Sequence, residues 1–171
     1  MSDQLEIQKQ ILDAKENRWL KQKQYLTEFG SVIISFKLNI PHWPKISDEI
    51  LSVFNLTLND FEKYLVKNKM SYKILAKDKT VLGPEAFFHI NEQPSKIKEL
   101  TVAFEENFDI GRLLDIDVLN NDGIPLERAV KRSCLLCVDI AINCMRSGKH
   151  TSKEIRAVFD KIIVSFSSNK K

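Results

Sequence analysis

The sequence predicts an α+β fold: a mixed, mostly antiparallel sheet flanked by helices, with an N-terminal helix and two C-terminal helices. Three observations predict it. The opening segment is rich in Gln, Lys, Glu and Leu at helical spacing, the middle holds β-branched and alternating runs bounded by turn residues, and the end carries capped amphipathic stretches. No repeat, low-complexity tract or long linker divides the chain, so residues 1–171 read as one domain.

Between Asp3 and Glu28, residues Leu5, Ile11, Leu12, Trp19, Leu20 and Leu26 recur at helical intervals, and Gly30 can end that helix. On spacing alone its Lys15, Glu16, Arg18 and Lys21 form a solvated face. Val32 to Asn39 is a β-branched run that Ile40-Pro41-His42-Trp43-Pro44-Lys45 breaks, giving a strand that feeds a rigid loop. Ser47 is placed to cap a helix whose stripe of Ile50, Phe54, Leu58, Phe61 and Leu65 runs to Lys67. Met70 to Ala76 and Thr80 to Ile90 read as antiparallel strands around the turn Lys77-Asp78-Lys79. Glu92 to Lys98, with Pro94, reads as a loop and Glu99 to Glu105 as a strand of alternating apolar residues. Leu113 to Leu119 forms the next strand, ended by the turn-forming Asn120-Asn121-Asp122-Gly123, with Ile124-Pro125-Leu126 as a short or edge partner. Ser133 can cap a helix from Cys134 to Arg146 that Ser147-Gly148 stops, and Thr151-Ser152 can cap a last helix from Lys153 to Ser165.

The bulk numbers narrow the classes. A hydrophobic content of 43% suffices for a buried core, and a net charge of +3, from 26 basic and 23 acidic residues, is too mild and mixed for nonspecific nucleic-acid or membrane binding. No apolar run approaches the roughly 20 residues of a membrane span, and Met1-Ser2-Asp3-Gln4-Leu5-Glu6 lacks the basic start of a secretion signal, which points to the cytoplasm. Three cysteines without such a signal are expected to stay reduced.

Asp115 and Asp117 are the residues of greatest chemical interest. A strand turns residues i and i+2 to one face, so two like charges emerge side by side and call for a cation or a strong hydrogen-bond network. Such a pair is the usual carrier of Mg²⁺ in nucleotidyl transfer, while the plainer reading is two solvent-facing residues at a strand end. Arg112, after Gly111, adds a guanidinium able to grip phosphate, and Glu105 could supply a third carboxylate from a neighbouring strand. Cys134, Cys137, Cys144 and His150 have the ligand types of a Cys₃His zinc site. On one helix, however, the cysteines share a face, and three small residues on a stripe read more simply as core packing; a catalytic thiol stands behind both.

Taken together, Gly111-Arg112-Leu113-Leu114-Asp115-Ile116-Asp117-Val118 and Arg132-Ser133-Cys134-Leu135-Leu136-Cys137, followed by Cys144, Arg146 and His150, resemble the signature of the holo-citrate lyase synthase family. Its members are also called apo-citrate lyase phosphoribosyl-dephospho-CoA transferases. The likeness extends to Glu16-Asn17-Arg18 with Gln22, to Gly83-Pro84-Glu85 and to Glu105; it departs at Pro41-His42-Trp43-Pro44-Lys45, where the family tends to have Pro-Gly before a lysine. The resemblance implies one transferase domain over 1–171 that moves phosphoribosyl-dephospho-CoA from triphosphoribosyl-dephospho-CoA to a serine of the apo-citrate lyase acyl carrier (gamma) subunit, releasing diphosphate. It implies Mg²⁺ on Asp115 and Asp117, Glu105 in the metal shell or as the base, and Arg112, Arg18, Arg132 and Glu85 at the substrate. Two other readings of the residues stay open: a noncatalytic, zinc-stabilised binding module, and a nucleotidyltransferase acting on another nucleotide.

Overall fold

A computed structural model describes residues 2–30 and 32–170. Its elements run α1 (Ser2–Phe29), β1 (Val32–Leu38), α2 (Asp48–Lys67), β2 (Tyr72–Thr80), β3 (Gly83–Ile90), α3 (Pro94–Asn107), a single 3₁₀ turn (Gly111–Leu113), β4 (Leu114–Leu119), α4 (Ala141–Ser147) and α5 (Ser152–Asn169). The strands form one four-stranded sheet in the order β2-β3-β1-β4, antiparallel at every pairing. The α+β expectation holds, with α1 at the N-terminus and α4 and α5 at the C-terminus.

Local signals explain most boundaries. Gly30 takes φ +59° just past α1, and its N–H donates to the Leu26 carbonyl at 2.9 Å, closing the last turn. Ser47 Oγ accepts from the Ile50 N–H at 3.2 Å, while Thr151 and Glu154 form a reciprocal capping box at α5. After β4, Asn120 Oδ1 accepts from the N–H groups of Asp122 and Ile124, and Pro125 makes only an isolated bridge to Leu119.

The sheet has two unlike faces. Ile34, Phe36 and Leu38 of β1, with Ala86, Phe88, Ile90, Leu114, Ile116 and Val118, point into a core closed by α2, α3 and α5. Phe61 is its hub, with ring centroids 5.1 Å from Phe36, 5.5 Å from Phe88 and 5.1 Å from Phe104. The opposite face lies under α1. One end is apolar, with Ile33, Phe87 and Leu119 against Tyr25, Leu26 and Phe29; the other end is charged.

Three expectations are corrected. Lys77-Asp78-Lys79 is not a turn: β2 continues through it to Thr80. Glu99 to Glu105 is not a strand but the body of α3, which starts at Pro94 inside the expected loop. Proline is at home in a helix's first turn, and the buried Ile97, Thr101, Phe104 and Glu105 follow helical spacing once Ile97 is counted. The helix placed from Cys134 to Arg146 begins only at Ala141; residues 134–140 form a loop, closed by a bridge between Ser133 and Ile140.

Candidate active site

The register of the three central strands assembles the charged end. Opposite Asp117 on β1 stands Ser35, and opposite Asp115 stands Lys37, which on its other side pairs with Glu85 of β3. Directly paired residues share a face, so these five side chains form one layer. Asp115 and Asp117 do emerge side by side, and what neutralises them is Lys37: its Nζ lies 2.8 Å from Asp115 Oδ2 and 2.5 Å from Asp117 Oδ2. Burial pushes the Asp115 carboxyl up, but the Lys37 ammonium, with help from Arg132 and Arg18, outweighs it and holds the group below its ordinary value.

Arg18 closes the layer from above. Its Nε stands 2.9 Å from Glu85 Oε1 and its Nη2 donates to Ser35 Oγ at 3.3 Å, while Ser35 donates to the same Glu85 oxygen at 2.5 Å. Burial raises the Glu85 carboxyl above the usual range even though Arg18 and Ser35 pull the other way. The residue whose spacing suggested a solvated helix face is therefore turned into the protein. Arg18 also borders two clefts. A cavity of about 820 Å³ lies between α1 and the β2–β3 hairpin, with Asn17, Lys21, Asp78, Thr80 and Glu85 in its wall; a smaller one of about 220 Å³ reaches Asp117, with Lys15, Trp19 and Gln22.

Glu105 and Arg132 sit at the side of this layer. Strand β4 is a sheet edge, and Glu105 Oε1 accepts the outward Ile116 N–H at 2.9 Å. Arg132 hydrogen-bonds that same oxygen, donates to the Leu114 carbonyl at 2.7 Å and holds Nη1 3.8 Å from Asp115 Oδ1; Arg128 stands 3.4 Å from Glu105 Oε2. Burial raises the Glu105 carboxyl despite these arginines. Arg132 thus joins Glu105 to the aspartates. Arg112 goes elsewhere: it donates to the Ser133 carbonyl and lines a third cavity with Cys134, Cys144 and His150. Gly111, expected as a bendable backbone for phosphate, is required by packing, because a Cβ there would lie 1.7 Å from the Glu105 carbonyl oxygen.

Lys37 and Ser35 are the site residues that sequence reasoning missed. Their signal was present: in Ile34-Ser35-Phe36-Lys37-Leu38 the two polar residues alternate with apolar ones and so share a face. Cys134, Cys137, Cys144 and His150 do come together, with one ligand atom from each within 4.8 Å of the others.

Residues 7–166 match the family model described as apo-citrate lyase phosphoribosyl-dephospho-CoA transferase. The chain belongs to that family. It is 33% identical over 167 residues to Protein CitXG of Leuconostoc mesenteroides subsp. cremoris, covering 94% of this chain and 36% of that protein. A probable apo-citrate lyase phosphoribosyl-dephospho-CoA transferase of Streptococcus pyogenes serotype M3 is 34% identical over 167 residues, with 91% of this chain and 84% of the relative covered. One from Vibrio cholerae serotype O1 is 28% identical over 166 residues, covering 92% of each. The chain is accordingly an enzyme of a transferase family. No helix of the described residues is long and apolar enough to cross a membrane.

Proposed function

We propose that this chain moves the phosphoribosyl-dephospho-CoA group from triphosphoribosyl-dephospho-CoA to a serine of the apo-citrate lyase acyl carrier subunit, in the cytoplasm, with release of diphosphate. One observation carries the reading: Asp115 and Asp117 converge on a single cationic atom, Lys37 Nζ, and Asp117 borders a cleft that Arg18 also lines. In the transfer, the serine oxygen bonds to the α-phosphorus as the bond from that phosphorus to the diphosphate oxygen breaks. The electron pair leaves with diphosphate, and the serine proton passes to one of the two aspartates.

Such a reaction needs positioning and charge neutralisation more than covalent help from the protein. Arg18 and Lys37 answer the triphosphate charge from α1 and β1, and Arg132 does so from the loop beyond β4. Asp115 and Asp117 supply the hard oxygen donors that Mg²⁺ takes, and Mg²⁺ bound there would neutralise phosphate oxygens and the departing diphosphate. Glu105 holds Arg132 and the edge of β4 in place, and Glu85 fixes the direction of the Arg18 guanidinium. The larger cavity beside Arg18 has the size of a site for the dephospho-CoA portion.

The test is direct. Purified apo carrier subunit incubated with this protein, the precursor and Mg²⁺ should gain the mass of the prosthetic group and release one diphosphate per modified serine. Asp117→Asn should abolish both; an unchanged carrier mass with the native chain, or full transfer by the variant, would overturn the assignment.

A further inference from the structure

The chain from Ser133 to Thr151 carries a cluster of thiol and imidazole groups that the proposed transfer does not employ. Among these residues only Cys144 is buried, Val138 is fully exposed, and the sole helix is the seven-residue α4. A stretch that gains so little from apolar burial needs another kind of cross-link to hold one conformation.

The structure supplies the parts of one. Cys137 Sγ lies 3.5 Å from Cys144 Sγ and 3.3 Å from His150 Nε2, and the four ligand atoms, with Cys134 Sγ, all fall within 4.8 Å of one another. Ligand atoms of a tetrahedral zinc ion, with Zn–S of about 2.3 Å and Zn–N of about 2.0–2.1 Å, stand roughly 3.5–3.8 Å apart. The backbone is shaped to the cluster. Cys134 N–H donates to the Asp139 carbonyl at 2.6 Å, and Leu136 N–H points at Cys134 Sγ from 3.4 Å, the kind of amide support a metal-bound thiolate receives. Gly148, at φ +61°, ends α4 and turns the chain back to bring His150 to Cys137. Core packing does not account for the group, because Cys134 and Cys137 are only half-buried and no helix carries them.

We propose that Cys134, Cys137, Cys144 and His150 form a closed Cys₃His site for structural Zn²⁺, which clamps residues 133–151. Thiolate and imidazole donors select Zn²⁺ over Mg²⁺, and four protein ligands leave no position for a substrate. The clamp is tied to two arginines: the Ser133 carbonyl receives Arg112, and the carbonyl of Arg132, whose guanidinium stands beside Asp115, receives Ala141 N–H at 2.9 Å. The site stands independently of which group the enzyme transfers.

Elemental analysis of the full chain, purified with a thiol reductant, tests it. The expected result is about one zinc per chain, reduced at least about tenfold in Cys137→Ser and His150→Ala and unchanged in Asp117→Asn. Because the first two variants can fail to fold for other reasons, the native chain stripped of metal should also be titrated with Co²⁺. A tetrahedral thiolate site then yields intense visible bands and a thiolate-to-cobalt charge-transfer absorption, which added Zn²⁺ abolishes. Removing zinc should also expose residues 133–151 to rapid proteolysis. No zinc and no cobalt spectrum, zinc retained in both variants, or proteolysis unaffected by metal removal would each overturn the proposal.

Discussion

Strand β1 divides the molecule into two halves with opposite tasks. Ile34, Phe36 and Leu38 enter a core of stacked aromatic rings, while Ser35 and Lys37, one residue away in each case, meet Glu85, Asp115 and Asp117 under α1. The two faces share one backbone and one register, so the pleat that buries Phe36 also aims Lys37. A slip of one residue would exchange the sets, driving a lysine into the core and a phenylalanine into the cleft. The difference teaches how a small protein keeps charged groups in fixed positions: the rigidity comes from the apolar face that lies behind them.

The largest test of that division is Asp117→Asn. It should lower transfer by at least about 10²–10³-fold, the loss usual for one electrostatic group of an active site, while thermal unfolding stays close to native. A large drop in melting temperature would show that the charged face also supports the fold. Phe61→Ala is the converse. It should cost about 3–5 kcal/mol by denaturant unfolding with transfer per folded molecule retained, and a loss of activity in the folded fraction would break the separation.

Lys37→Met sharpens the comparison within the charged face. Removing the ammonium leaves two carboxylates facing one another, which should destabilise the chain by about 1–2 kcal/mol, below the fully buried value because Asp115 is partly open to water. If a divalent cation binds there, Mg²⁺ should raise the melting temperature of this variant more than that of the native chain; equal shifts would place the cation elsewhere. Asp115→Asn gives the smallest effect, read against pH. The depressed Asp115 value means that the native chain binds this proton more weakly than the unfolded chain. Its stabilisation is therefore present above the ordinary value of 3.8 and lost as pH falls through the depressed one, so the variant should show a flatter acid limb in urea unfolding.

Much of the fold was legible because its signals are local. Ser47, Gly30, Thr151 with Glu154 and the Asn120–Gly123 turn each act within a few residues, and the same-face placement of Asp115 and Asp117 follows from strand geometry alone. For Lys37 and Ser35 the alternation shows only that they share a face; that they meet the aspartates depends on strand register, which spacing along the chain does not reveal. Family resemblance pointed to Glu85 and to Arg18, for which periodicity alone gave a solvated face. The cysteine segment misled for a different reason: its residues suit a helix, yet 134–140 fold as a loop around side chains that converge on one point. The proposed zinc site and the transferase reading, which stood as rivals in the sequence, use different residues and so are compatible in one molecule.

Glu105 has a consequence for the behaviour of the protein in a crowded cell. By accepting the Ile116 N–H and gathering Arg128 and Arg132, it occupies the open side of β4 with charge. At the far side of the sheet, β2 carries Lys73, Lys77 and Lys79. Neither border offers a bare, apolar ladder to which a second sheet could add, so the arrangement that steadies Arg132 also discourages edge-to-edge aggregation.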